Sequence, residues 1–230
     1  MAHFGAEIVR TPGHYDDAVT QAADDAQRLG RIVISDTSYE GYMEIPKDVM
    51  QGYQLMVDEA IAAAPDPISQ TFIQAGVGGV AAAVCSYFWE RLGSQRPQVV
   101  VVEPSLADCC FQSAVAGQPT RAKGDLNTLM AGLACGYPSL LAWEILGPGA
   151  DAFMTVDDGA AVDCMKLLAH GLRGDPPLVA GESAVAGLAG LIAAVQGGYG
   201  ADLGLDRHSQ VLLFGCEGAT DPELYHKLVA

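Results

Sequence analysis

The run Gly76-Val-Gly-Gly79 joins an aliphatic stretch, Ser69-Gln-Thr-Phe-Ile-Gln74, to an alanine-rich one that reaches Trp89. Glycines between a strand and a helix let the backbone turn tightly and aim several N–H groups at one point, so an anion can approach the main chain. The run is neither a GxGxxG dinucleotide fingerprint nor a Walker loop, because no Gly-Lys-Ser/Thr follows it. A purely structural turn is the other reading of these glycines. The cysteines at positions 85, 109, 110, 135, 164 and 216 include no CxxC pair and no Cys/His cluster at zinc spacing. No metal site is expected from them. In a cytoplasmic protein they read as reduced, mostly buried thiols.

The elements that must carry this loop follow from periodicity. Aliphatic runs predict strands at 5–10, 31–35, 69–74, 98–103 and 209–214. Apolar positions at helical spacing predict helices over 14–29, 48–63 and 79–89, and again over 106–116, 122–133, 158–170, 182–196 and 222–229. The second of these is ended by Pro65 and Pro67. Gln98-Val-Val-Val-Val-Glu103 is nearly continuous β-branched sequence, the mark of a parallel strand buried on both faces. Alternation at this spacing predicts an α/β fold, a mostly parallel sheet with helices on both faces. In such sheets ligands bind in the crevice at the strand C-termini, which is where the glycine run falls.

Composition narrows the function classes. With 28 acidic residues against 12 basic ones, the formal charge of −16 repels nucleic acid and anionic membrane, so neither is an expected partner. Any phosphate site must therefore work locally, through backbone N–H groups and a helix N-terminus. The most apolar stretch, Ser183 to Gln196, is broken by Gly187 and Gly190 and reads as a buried helix, not a membrane span. The N-terminus lacks the charged-then-apolar order of a signal peptide, which predicts a cytoplasmic location.

Several multi-residue segments then occur in a telling order: Asp36-Thr-Ser-Tyr-Glu-Gly-Tyr42, Met50-Gln-Gly-Tyr53, Gln74-Ala-Gly-Val-Gly78, Val102-Glu-Pro104, Ala107-Asp-Cys109, Met130-Ala-Gly-Leu-Ala-Cys-Gly136, Trp143-Glu-Ile-Leu146 and Gly181-Glu-Ser183. Together they resemble the diaminopropionate ammonia-lyase family, fold-type II pyridoxal-phosphate (PLP) enzymes related to threonine dehydratase and tryptophan synthase β. The resemblance implies pyridoxal 5'-phosphate as cofactor, 2,3-diaminopropionate as a small amino-acid substrate cleaved to pyruvate and ammonia by α,β-elimination, and a homodimer. It implies that Gly76, Val77, Gly78 and Gly79 cradle the cofactor phosphate. Asp36 would be the substrate-side acid, a task that suits a carboxylate whose proton affinity burial has raised. Tyr39 and Tyr42 would line the same pocket. Cys216, in Phe214-Gly-Cys-Glu-Gly218, would face the pyridine nitrogen, where the family usually has a hydroxyl; a neutral partner makes a milder electron sink. For Asp36, the tyrosines and Cys216, ordinary turn and packing roles stay open. Cys109 and Cys135 fall where the family can carry a disulfide, although the compartment argues for thiols and Cys110 would compete.

The chemistry also needs a lysine to hold the cofactor. The chain has Lys47, Lys123, Lys166 and Lys227, and none stands in the family's lysine context. The expectation is a chain incomplete at the N-terminus, with residues 1–35 ending a small domain and 36–230 forming the large phosphate-binding domain. Truncation, a split enzyme and a lysine-free relative are three open explanations. The alternative function is a non-catalytic module that binds PLP or another phosphorylated ligand.

Overall fold

The computed structural model describes residues 2–230. Four strands, β1 (Gln70–Gln74), β2 (Gln98–Pro104), β3 (Ala152–Val156) and β4 (Val211–Leu213), form one sheet in the order β3-β2-β1-β4. All three pairings are parallel, with Phe72 opposite Val100 on one side of β1 and opposite Leu213 on the other.

The valine run explains why both faces are covered. Successive side chains in a strand point to opposite faces. Val99 and Val101, with Ile73, pack into one core against α2 (Glu44–Ala63), α3 (Gly79–Leu92) and α5 (Leu140–Gly149). Val100 and Val102, with Phe72, pack into a second core against α6 (Asp158–His170), α7 (Ala186–Gln196) and α8 (Pro222–Val229). The α/β architecture with a parallel sheet and helices on both faces is thus the observed one. Helix α7 lies unusually close to the sheet because it presents glycines there: a Cβ on Gly187 would stand 2.6 Å from the Phe72 carbonyl oxygen, and one on Gly190 2.7 Å from Val102.

Several expected elements differ. Segments 5–10 and 31–35 are irregular and not strands. Their β-branched residues have no neighbouring strand to pair with among the described residues, so Ile32 and Ile34 stay nearly four-fifths exposed. An Arg31–Glu7 ion pair at 3.3 Å links the two segments. The span 122–133 is a loop closing in a short 3-10 turn (Ala131–Leu133), and not a helix. Side chains take over its backbone donors: Asp108 accepts from Lys123 N, Asp125 from Asn127 N, and Asp158 from Leu129 N. Such local bonds compete directly with a helical ladder. Helix α2 begins at Glu44, four residues early, because Pro46 fits a first turn. The pair α5–β3 was not anticipated. Helix α1 (Tyr15–Leu29) and α4 (Cys109–Ala116) complete the set. No helix among the described residues is long and apolar enough to cross a membrane.

Candidate cofactor site

Strand β1 sends the chain to β2 on one side, whereas β4 joins it from the other. The loops leaving β1 and β4 therefore part company at the strand C-termini, and a crevice opens between them. Gly76–Gly79 follows β1, Cys216 follows β4, and both line a cavity of about 570 Å³. Asp36 and Tyr15 close one side of it, Gly132 and Ser183 another.

The glycine loop is packed closely against its surroundings. Gly78 adopts φ +93° and caps α3, and Ala82 N donates to its carbonyl at 2.8 Å. The N–H groups of Gly79, Val80 and Ala81 precede the first helical bond and have no partner within the helix. A Cβ on Gly76 would meet Cys135 Sγ at 3.0 Å, and one on Gly79 would meet Asp36 Oδ2 at 2.6 Å. Behind the loop lies a block of thiols and one acid. Cys109 donates to Gly76 O at 3.4 Å, while fully buried Glu103 accepts from Cys110 N at 2.8 Å and Phe111 N at 2.6 Å. Burial pushes Glu103 up to about 8, against the pull of those two N–H donors. The polar atoms of Glu103, Cys109 and Cys110 lie within 4.8 Å of one another, a cluster that the cysteine spacing did not announce.

Asp36 is half-buried and faces α3. Its Oδ2 accepts from the Tyr53 hydroxyl at 3.3 Å, and its Oδ1 lies 3.5 Å from Thr37 Oγ1. Burial, then the charge of Asp36, pushes Tyr53 up to about 12, so the phenol stays protonated and donates. The main chain here is fixed by Ser38 and Ser139, both buried, whose hydroxyls meet at 2.8 Å. Across the cavity, Glu217 accepts from Ser183 N at 2.8 Å, and Ser183 Oγ accepts from Gly132 N at 2.9 Å.

The structure thus brings Asp36, Gly76, Val77, Gly78, Gly79 and Cys216 together around one cavity. It does not bring Tyr39 and Tyr42 there. Their rings stack at 5.0 Å, Tyr39 lines a neighbouring hollow, and the Tyr42 hydroxyl is spent on Val33 O and Ser35 N. The two tyrosines are joined by an isolated antiparallel β-bridge. All six cysteines are free thiols, Cys109 and Cys135 included; five are buried and Cys216 is exposed at the cavity rim. Sequence reasoning missed Tyr15, whose hydroxyl bonds Thr37 at 2.7 Å, and Glu217, neither of which stands in a periodic or spaced motif.

The family described as pyridoxal-phosphate dependent enzyme matches residues 1–211. The chain belongs to this family. Diaminopropionate ammonia-lyase of Salmonella typhimurium is 39% identical over 240 residues, covering all of this chain and 59% of that protein. Holo diaminopropionate ammonia lyase from Escherichia coli superposes with a TM-score of 0.91 at 35% identity, over 99% of this chain and 59% of that one. A threonine deaminase from Solanum lycopersicum shares the fold alone, with a TM-score of 0.78 at 19% identity. The chain therefore spans about three-fifths of the length of the curated relatives it matches.

The residues present fit the phosphate of the family's cofactor. Three N–H groups at the α3 N-terminus have no bond within the helix, and the glycines let the main chain pack against Cys135, Leu146 and Asp36 where a Cβ would have no room. No lysine, arginine or histidine lines the cavity among the described residues. Lys47, Lys123, Lys166 and Lys227 all lie outside it, on α2, the 122–133 loop, α6 and α8.

Proposed function

We propose that this chain forms the phosphate-anchoring part of a PLP-dependent carbon–nitrogen lyase that converts 2,3-diaminopropionate to pyruvate and ammonia. The observation that carries the reading is the glycine loop opening into the crevice between β1 and β4, opposite Cys216. Bound there, pyridoxal phosphate supplies an electron sink for the substrate α-carbon. In this reading Gly76–Gly79 and the first turn of α3 bind the phosphate, and Cys216 faces the ring nitrogen as a neutral thiol, its pKa raised by desolvation. Asp36 holds the substrate amine or takes the α-proton from the side of α3. The lysine that the chemistry requires comes from outside the cavity lining seen here. Residues 36–230 serve as the large domain, residues 1–35 end the small one, and the protein acts in the cytoplasm as a homodimer.

Equilibrium dialysis of the 230-residue chain with pyridoxal phosphate tests the anchor. The chain is expected to bind it, and Gly78→Ala to weaken binding at least ~10-fold, because φ +93° strains an L side chain there and its Cβ would press on Leu146 and Ala142. Unchanged binding in Gly78→Ala would remove the loop from the site. A second reading, a non-catalytic module for phosphorylated ligands, is favoured by the lysine-free lining. Supplying a relative's lysine-bearing segment together with the chain separates the two: ammonia released from 2,3-diaminopropionate supports the enzyme, and pyridoxal phosphate bound without turnover supports the binding module.

A further inference from the structure

Two anions have claims on the same end of one helix. Asp36 Oδ2 lies 2.6 Å from the place a Gly79 Cβ would occupy, so the carboxylate rests against the first residue of α3. The N-terminus of a helix carries about half a positive charge and stabilises an anion there. Asp36 makes no ion pair among the described residues. The titratable groups facing it are Tyr53 from α2, Tyr15 from α1, Tyr42 from its own loop and Cys135 from the segment after the 3-10 turn. Burial raises the pKa of all four, so each is neutral near pH 7 and none offsets the aspartate. With no basic side chain in the lining, the α3 terminus is the electropositive feature available to either anion.

We propose that Asp36 is a resident counter-anion at the phosphate cradle, held there by Tyr53, and that it sets the cradle's affinity by competing with an incoming phosphoryl dianion for the α3 N-terminus. This rests on reading Gly76–Gly79 as the cradle. The Ser38–Ser139 contact fixes the main chain, so displacement takes a turn of the Asp36 side chain and release of the Tyr53 bond, not an opening of the loop. The consequence for specificity is direct: the site discriminates against weak monoanions, which cannot outbid a carboxylate already in place, and favours dianions with several acceptor oxygens.

The test uses sulfate, which stays dianionic across the neutral range, titrated calorimetrically into the 230-residue chain at low salt. Asp36→Asn keeps the shape and removes the charge, and it is expected to bind sulfate about tenfold tighter than the parent chain. Tyr53→Phe frees the carboxylate to turn toward water and is expected to tighten binding less, in the same direction. Equal or weaker sulfate binding in Asp36→Asn, with the parent chain binding, overturns the competition and leaves the cradle standing. If the parent and both variants fail to bind sulfate, the cradle itself falls and the competition with it. Should Asp36→Asn not fold, Tyr53→Phe decides, since an affinity no tighter than the parent's overturns the proposal.

Discussion

Glu103 is an acid with no exposed surface, set between valines and a proline. It is kept there because the first N–H groups of α4, from Cys110 and Phe111, reach both of its oxygens. Burial still dominates, and its pKa rises to about 8 from 4.5. A raised acid binds its proton more tightly in the folded state than in the unfolded one. Between roughly pH 4.5 and 8 the folded chain therefore holds a proton that the unfolded chain has lost, and this group's contribution to stability falls as pH rises through that window. Glu103→Gln is expected to flatten that part of the pH–stability curve. It also sets an amide N–H₂ against one backbone donor, lowering stability by about 1–3 kcal/mol at pH 6. Urea unfolding at several pH values checks both, and an unaltered slope would place the titration elsewhere. At this scale legibility was uneven. Asp36, the glycines and Cys216 were singled out through their neighbours in sequence, because those neighbours form words, and all of them line one cavity. Tyr15 and Glu217 were not found, since their parts depend on bonds to Thr37 and Ser183 that join distant segments. Tyr39 and Tyr42, though close in sequence to Asp36, stack on each other and stand outside the cavity lining.

Among elements, β1, β2, α3, α6 and α8 could be read directly, because burial on one or two faces imprints a period on their residues. The pair α5–β3 could not: α5 is apolar nearly all round, and β3 is a five-residue edge strand with partial burial. The false strands at 5–10 and 31–35 have strand composition without a partner, and composition alone does not supply hydrogen bonds. Helix α7 offers a sharper test of what its glycines do. Gly187→Ala pushes a Cβ toward a backbone oxygen of Phe72, which cannot move without the sheet. Gly190→Ala meets the methyl groups of Val102, which can turn. The first is expected to destabilise by about 1–3 kcal/mol and the second by less, although alanine is the better helix former at both sites. Thermal unfolding of the two variants reads the order, and equal or reversed losses would mean that α7 can slide.

Over the whole molecule, the charge of −16 makes any anion's approach depend on salt. Sulfate or pyridoxal phosphate is expected to arrive faster as ionic strength rises through about 0.1 M, because screening weakens the repelling field before it reaches the local N–H groups. Stopped-flow association rates check this, and a rate that falls with salt would point to a basic approach route. The sheet itself is unevenly sewn. Five residue pairs join β1 to β2, but only three join β1 to β4, and the partly exposed Val211–Leu213 supplies all three. The cavity sits directly above that weaker join. A ligand bridging Gly78 and Cys216 would act as a rivet across it, so amide exchange at Val211–Leu213 should slow on binding while exchange in β2 barely changes. What first looks like a gap in the fold's stitching would then be the place where occupancy of the site is written into the stability of the whole sheet.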